Sequence, residues 1–121
     1  MADILKMTDI RKCPTQFGLA LKDALNVLNG KWKMAIIGTL LFGKKRFSEL
    51  EREIKGINPR MLSKELKELE LNGVVSRRVI ASRPVSIEYE LTESGISLKK
   101  VLEEMIKWGL QHRERVFKKQ V

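Results

Sequence analysis

The stretch from Phe47 to Arg78, FSELEREIKGINPRMLSKELKELELNGVVSRR, decides the fold. Ser48 and Glu51 stand three positions apart, the spacing of a reciprocal capping box, and predict a helix that buries Leu50 and Ile54. Lys55-Gly56-Ile57 reads as a turn, because glycine accepts the positive φ that other residues resist. Asn58 then suits an N-cap and Pro59 the first helical position, with Ile57 placed to staple onto Leu62. Leu62, Leu66 and Leu69 form the apolar stripe of a second helix, about 59–72, which Asn72-Gly73 closes. Val74 to Ile80 is β-rich. A helix, a tight turn, a helix and a strand describe a helix-turn-helix with a hairpin attached, and that arrangement points to the DNA major groove.

The chemistry of this stretch lies on one face of the second helix. At 100° per residue the leucine stripe fixes the inward direction, and Arg60, Lys64 and Lys67 fall within about 40° of the opposite one. Ser63 lies at the border, and Glu65, Glu68 and Glu70 sit mainly on the flanks. Such a face can enter a groove without presenting carboxylates to phosphates. Arg60, near the helix N-terminus, is the candidate for reading guanine. Lys64 and Lys67, with Asn58, Ser63 and Ser48, are candidates for the backbone. A solvated face balanced by pairs such as Lys64 with Glu68 is the plainer alternative.

Outward from there, Ile87, Tyr89 and Leu91 alternate with Ser86, Glu88 and Glu90, giving the hairpin's second strand around a loop containing Arg83-Pro84. Arg83, in the 81–86 wing, is suited to a narrow minor groove, where the potential is more negative. Arg77 and Arg78 on the first strand either contact DNA or pair with Glu88 and Glu90 across the hairpin. Upstream, Cys13-Pro14 reads as a helix entry, followed by Phe17, Leu21, Ala24, Leu25 and Leu28 at helical spacing until Asn29-Gly30. A further helix, roughly 31–42, carries Trp32, Ile36, Ile37 and Leu40, and Lys44 to Arg46 suits a short strand. Downstream, Thr92 caps a long helix bearing Leu98, Val101, Leu102, Met105 and Trp108.

The whole is one winged-helix domain over 13–121 behind an N-terminal arm of 1–12. Its class is mainly α with a small β-hairpin. The helices at about 14–29 and 92–116 carry more apolar surface than a small winged helix can bury alone, which predicts a homodimer reading a palindromic operator.

The 121 residues carry a formal net charge of +9 and a pI of about 9.9, a balance that favours a polyanionic partner. The N-terminal segment has no apolar signal core. The longest apolar run, Met34 to Gly43, is about half the roughly 20 residues a spanning helix needs, so no membrane association and a cytoplasmic location are expected. The lone Cys13 rules out an internal disulfide. No nucleophile elbow, phosphate loop or metal-ligand spacing is present, so neither an enzyme nor a metal or cofactor is expected. His112 is expected at the surface near the end of the last helix. Cys13, beside Arg11 and Lys12 at a helix entry, has surroundings that favour thiolate and is a candidate redox sensor. Packing beneath a dimer interface is the alternative.

Five segments together resemble the HxlR-type winged-helix regulators, relatives of the MarR group. They are Cys13-Pro14, Gly30-Lys31-Trp32, Arg46 to Leu50, Ile57 to Ser63, and Glu88 to Thr92. The resemblance spans Cys13 to about Gly109 and implies a homodimeric bacterial or archaeal transcription factor with terminal dimerisation helices. In some members of that family a cysteine at the Cys13 position senses oxidants or electrophiles. Lys33 stands where a threonine is common, and Ser86 where a basic residue beside the wing is frequent. The rival functions are a winged-helix protein-interaction module and a sequence-blind nucleoid protein. The operator, the sign of regulation and any small-molecule effector are not encoded in recognisable form.

Overall fold

A computed structural model describes residues 15–118. Cys13, Pro14 and the 1–12 arm lie outside the described residues. Eight elements follow one another: α1 (Thr15–Leu28), α2 (Lys33–Leu40), β1 (Lys45–Arg46), α3 (Phe47–Glu53), α4 (Pro59–Leu71), β2 (Val75–Ile80), β3 (Ser86–Leu91) and α5 (Glu93–Lys118). The three strands form one antiparallel sheet in the order β1-β3-β2. Its register sets Arg77 against Tyr89, Arg78 against Glu88 and Arg46 against Glu88.

The core forms where the apolar stripes converge. Ile36, Ile37 and Leu40 of α2 meet Leu50 and Ile54, the leucine stripe of α4, and Val74, Val75, Tyr89 and Leu91 at the base of the sheet. Leu62, Leu66 and Leu69 are at most 1% exposed, so the stripe does set how α4 is rotated. Each such side chain contributes about 1.5–3 kcal/mol on burial.

Two boundaries differ from the sequence reading. The capping box of α3 is not Ser48 with Glu51. Arg46 occupies the N-cap in an extended conformation, and its backbone N–H donates to the Glu49 carboxylate at 3.0 Å. The cause is non-local: Lys45 and Arg46 pair with β3, which holds the chain extended through Arg46 and lets the helix start at Phe47. The helix expected over 31–42 is shorter, with Trp32 at its N-cap. Trp32 instead lies across the helix-turn-helix turn, where a Cβ on Gly56 would stand 3.5 Å from its ring and where Gly56 has φ +90°.

The N-cap of α4 is as expected: Asn58 Oδ1 accepts from the Met61 N–H at 2.8 Å, with Pro59 next in line. Thr92 caps α5, accepting at its hydroxyl from the Gly95 N–H at 3.1 Å while donating to the Gly73 carbonyl at 2.7 Å. Gly95 itself is buried against the sheet, and a Cβ there would collide with the Val74 carbonyl and stand 3.0 Å from Leu91.

Both terminal helices leave apolar surface in solvent. Leu19, Leu21 and Leu25 of α1 are exposed, as are Val101, Met105, Ile106, Trp108 and Leu110 of α5. His112 stacks on Trp108 at 4.7 Å between centroids, on the exposed last third of α5.

Candidate nucleic-acid interface

Nine candidate contacts inside the described residues are exposed: Ser48, Asn58, Arg60, Ser63, Lys64, Lys67, Arg77, Arg78 and Arg83. Ser63 and Lys67 of α4 share a groove with Arg77 and Tyr89, so helix and hairpin meet there. Ser48 and Arg83 line a second cleft, between the start of α3 and the wing. Arg60 stands in the first turn of α4, and Lys64 one turn further along.

Strand alternation separates the two adjacent arginines. Arg77 shares a sheet face with Val75 and Tyr89, the face that carries the core, whereas Arg78 shares the other with Ser76 and Glu88. Arg78 has the register that pairing with Glu88 requires. The Glu88 carboxylate nevertheless lies against Lys44, at 3.7 Å. Among the described residues, neither Arg77 nor Arg78 has an ion pair. Asn58 spends its side-chain oxygen on the helix cap, leaving only the amide NH2 for a phosphate.

The flanking glutamates of α4 have a partner that helical spacing did not indicate. Lys33, 8% exposed at the start of α2, places Nζ 2.9 Å from Glu65 and 2.6 Å from Glu68. The pairing of Lys64 with Glu68, the plainer alternative for this face, is not made; the charge of Lys64 is the last of the influences that lower the Glu68 pKa. Burial depresses the Lys33 ammonium, but the hydrogen bonds and charges of Glu68 and Glu65 outweigh that and hold its pKa above the ordinary 10.5. The hydrogen bond from Lys33, then its charge, pulls Glu68 below the ordinary 4.5. Two of the three acidic side chains flanking the basic face are thereby drawn to the back of the helix.

Sequence reasoning missed Arg46, which lines the wing cleft with Ser48 and Arg83. Its signal was the basic run Lys44 to Arg46, read as a strand and not as a contact. Lys45 is engaged by Glu53 at 3.1 Å, which leaves Arg46 as the arginine of that run at the cleft. No described helix is long and apolar enough to cross a membrane.

A family profile described as HxlR-like helix-turn-helix matches residues 27–117. The chain is 41% identical over 102 residues to the HTH-type transcriptional regulator YtcD of Bacillus subtilis, covering 84% of this chain and 81% of that protein. Among solved structures, the redox regulator HypR in its reduced form superposes with a TM-score of 0.74 at 37% identity, covering 82% of this chain and 98% of that one. The reduced form of the B. subtilis regulator YodB superposes at 0.71 with 40% identity, covering 76% and 90%. These relatives are transcriptional regulators and not enzymes, and the winged helix-turn-helix fold agrees with them. The chain belongs to the HxlR-like helix-turn-helix family of transcriptional regulators.

Proposed function

We propose that the protein is a homodimeric regulator that binds double-stranded DNA sequence-specifically. In this reading α4 enters the major groove, and the wing at 81–86 lies by the adjacent minor groove or backbone. Arg60 reads a base edge, Arg83 reaches the minor groove or the backbone beside it, and Ser48, Asn58, Ser63, Lys64, Lys67, Arg77 and Arg78 hold phosphates and sugars. The observation that carries it is the outward face of α4, where Arg60, Lys64 and Lys67 are exposed while Lys33 draws Glu65 and Glu68 behind them. The same basic face disfavours a protein-interaction module, which would need it apolar or acidic.

Dimerisation rests on the apolar side chains that α1 and α5 leave in solvent. Two subunits related by a two-fold axis read half-sites about one helical turn apart, or a multiple of it. Redox response through Cys13, outside the described residues, rests on the likeness to HypR, a redox regulator, and on Arg11 and Lys12, which precede the cysteine in sequence. With a single cysteine per chain, oxidation would join two subunits or capture a small thiol.

The test is affinity for an operator recovered by genomic footprinting, measured against random duplex at one fixed salt concentration. A preference on the order of a thousandfold or more supports the reading. Equal affinity would make it a sequence-blind nucleoid protein, and no binding at low salt an interaction module. A Cys13 thiol titrating near the unperturbed ~8.5 would remove the redox component alone.

A further inference from the structure

The cleft between the start of α3 and the wing has a composition that the reading of the wing as a single minor-groove arginine does not explain. Its volume is about 630 Å³. One wall is Arg46, Phe47 and Ser48, and the other is the wing from Ser82 to Ile87. Arg46 and Arg83, one on each wall, are both exposed, and neither has an acidic partner among the described residues. The carboxylates nearby in sequence and register are engaged elsewhere, Glu49 with the Arg46 backbone N–H and Glu88 with Lys44. Between the arginines the lining is apolar, from Phe47, Pro84, Val85 and Ile87.

Ser86 supplies an independent observation. It lines the same cleft, and its hydroxyl oxygen is enclosed without a hydrogen-bond partner, alone in this among the described residues. A buried hydroxyl left unpaired is costly, and native proteins seldom tolerate it without a use. A change of χ1 rotamer would re-aim the hydroxyl toward the cleft.

Two cations across an apolar channel with a hydroxyl in reserve match one kind of ligand, the sugar–phosphate backbone of DNA. The phosphate carries the charge and accepts hydrogen bonds, and the deoxyribose presents apolar faces. We infer that this cleft is a two-sided clamp on one backbone segment beside each half-site, with Arg46 opposite Arg83, Phe47 and Val85 against the sugar, and Ser86 donating to a phosphate oxygen. The inference rests on the DNA-binding reading above. It assigns Arg46 and Ser86 to the interface and makes the wing a source of affinity, not of base selectivity.

Salt-dependent binding to operator and random duplexes tests it, using the full chain. Arg46→Ala and Arg83→Ala should each weaken both duplexes by the same factor, on the order of tenfold, and each should lower the slope of log K against log salt by roughly 0.9 per subunit. Ser86→Ala should leave thermal stability equal or higher, since it removes an unpaired hydroxyl, and yet weaken binding several-fold. A purely structural serine would not separate these two readouts. The clamp is overturned if Arg46→Ala, folded as judged by its melting temperature, keeps the wild-type slope. It is also overturned if Arg83→Ala alters preference among flanking A·T and G·C pairs. Wild-type protein that binds no duplex would instead remove the DNA-binding reading, and the clamp with it.

Discussion

Replacing Lys33 by methionine isolates the electrostatic work done behind the reading helix. Methionine keeps most of the volume and removes the charge, leaving the Glu65 carboxylate with 14% side-chain exposure and no cation. Breaking a fully buried pair by removing one member costs about 3–5 kcal/mol. Here Lys33 is 10% exposed on its side chain but Glu68 is 40% exposed, so water screens part of the loss. The expected cost is about 1–3 kcal/mol. Melting at fixed protomer concentration should show a drop of roughly 3–5 °C for each kcal/mol.

The pH dependence gives a second readout of the same pair. Glu68 has its folded pKa lowered from 4.5, so its contribution is present above that value and lost as pH falls through the folded pKa. Lys33 has its folded pKa raised from 10.5, so its contribution is present below that value and lost as pH rises through the folded pKa. Lys33→Met should therefore flatten both limbs and lower the plateau between them. Adding Glu65→Leu and Glu68→Leu should restore most of the stability, because the penalty is that of orphaned carboxylates and not of a missing bond. A single variant as stable as the wild type, or one with unchanged acid and alkaline limbs, would refute the reasoning.

Arg60→Ala should cost about 1–3 kcal/mol of operator binding and relax selectivity at one base pair per half-site, whereas Lys67→Ala should weaken all duplexes alike; a binding-site selection on both variants separates the two. Asn58→Ala should lower stability by about 0.5–2 kcal/mol in urea denaturation through loss of the cap on Met61. Gly95→Ala should cost about 1–3 kcal/mol, since its methyl group would press on the Val74 carbonyl, and hydrogen exchange should report the loosening at the base of the sheet. Trp108→Glu, which sets a charge among the exposed apolar side chains of α5, should shift the mass in solution from dimer to monomer; an unchanged dimer by light scattering would place the interface elsewhere.

Helix α4 was legible because its determinants are close in sequence: Asn58-Pro59 at one end, Gly56 before it and leucines one turn apart. The Thr92 cap and the hairpin were legible for the same reason. What escaped was set by partners far along the chain. Ser48 with Glu51 and Arg46 with Glu49 both have capping spacing, and only the pairing of Arg46 with Glu88 on β3 decides between them. Lys64 is one turn from Glu68, yet the carboxylate turns to Lys33, 35 positions away, because that lysine enters the low-dielectric space beneath α4. The wing cleft likewise joins Arg46 to Arg83, a proximity that no periodicity encodes.

Thr92 sits where three parts of the molecule meet. Its hydroxyl binds the Gly73 carbonyl just past the reading helix and the Gly95 N–H of α5, and its own N–H reaches the Val74 carbonyl. Those bonds weld a 26-residue rod, about 39 Å long, to the base of the reading head. A rod fixed at that joint is a lever. Tilting it by about 10° sweeps its far end through about 7 Å, and a base-pair step is about 3.4 Å. If two chains pair through α5, as proposed above, a small change in the angle between subunits becomes a mismatch of about two base pairs between their helix-turn-helix units. In that proposed dimer the spacing of the two helix-turn-helix units is set by the α5 joint and not by the side chains on α4.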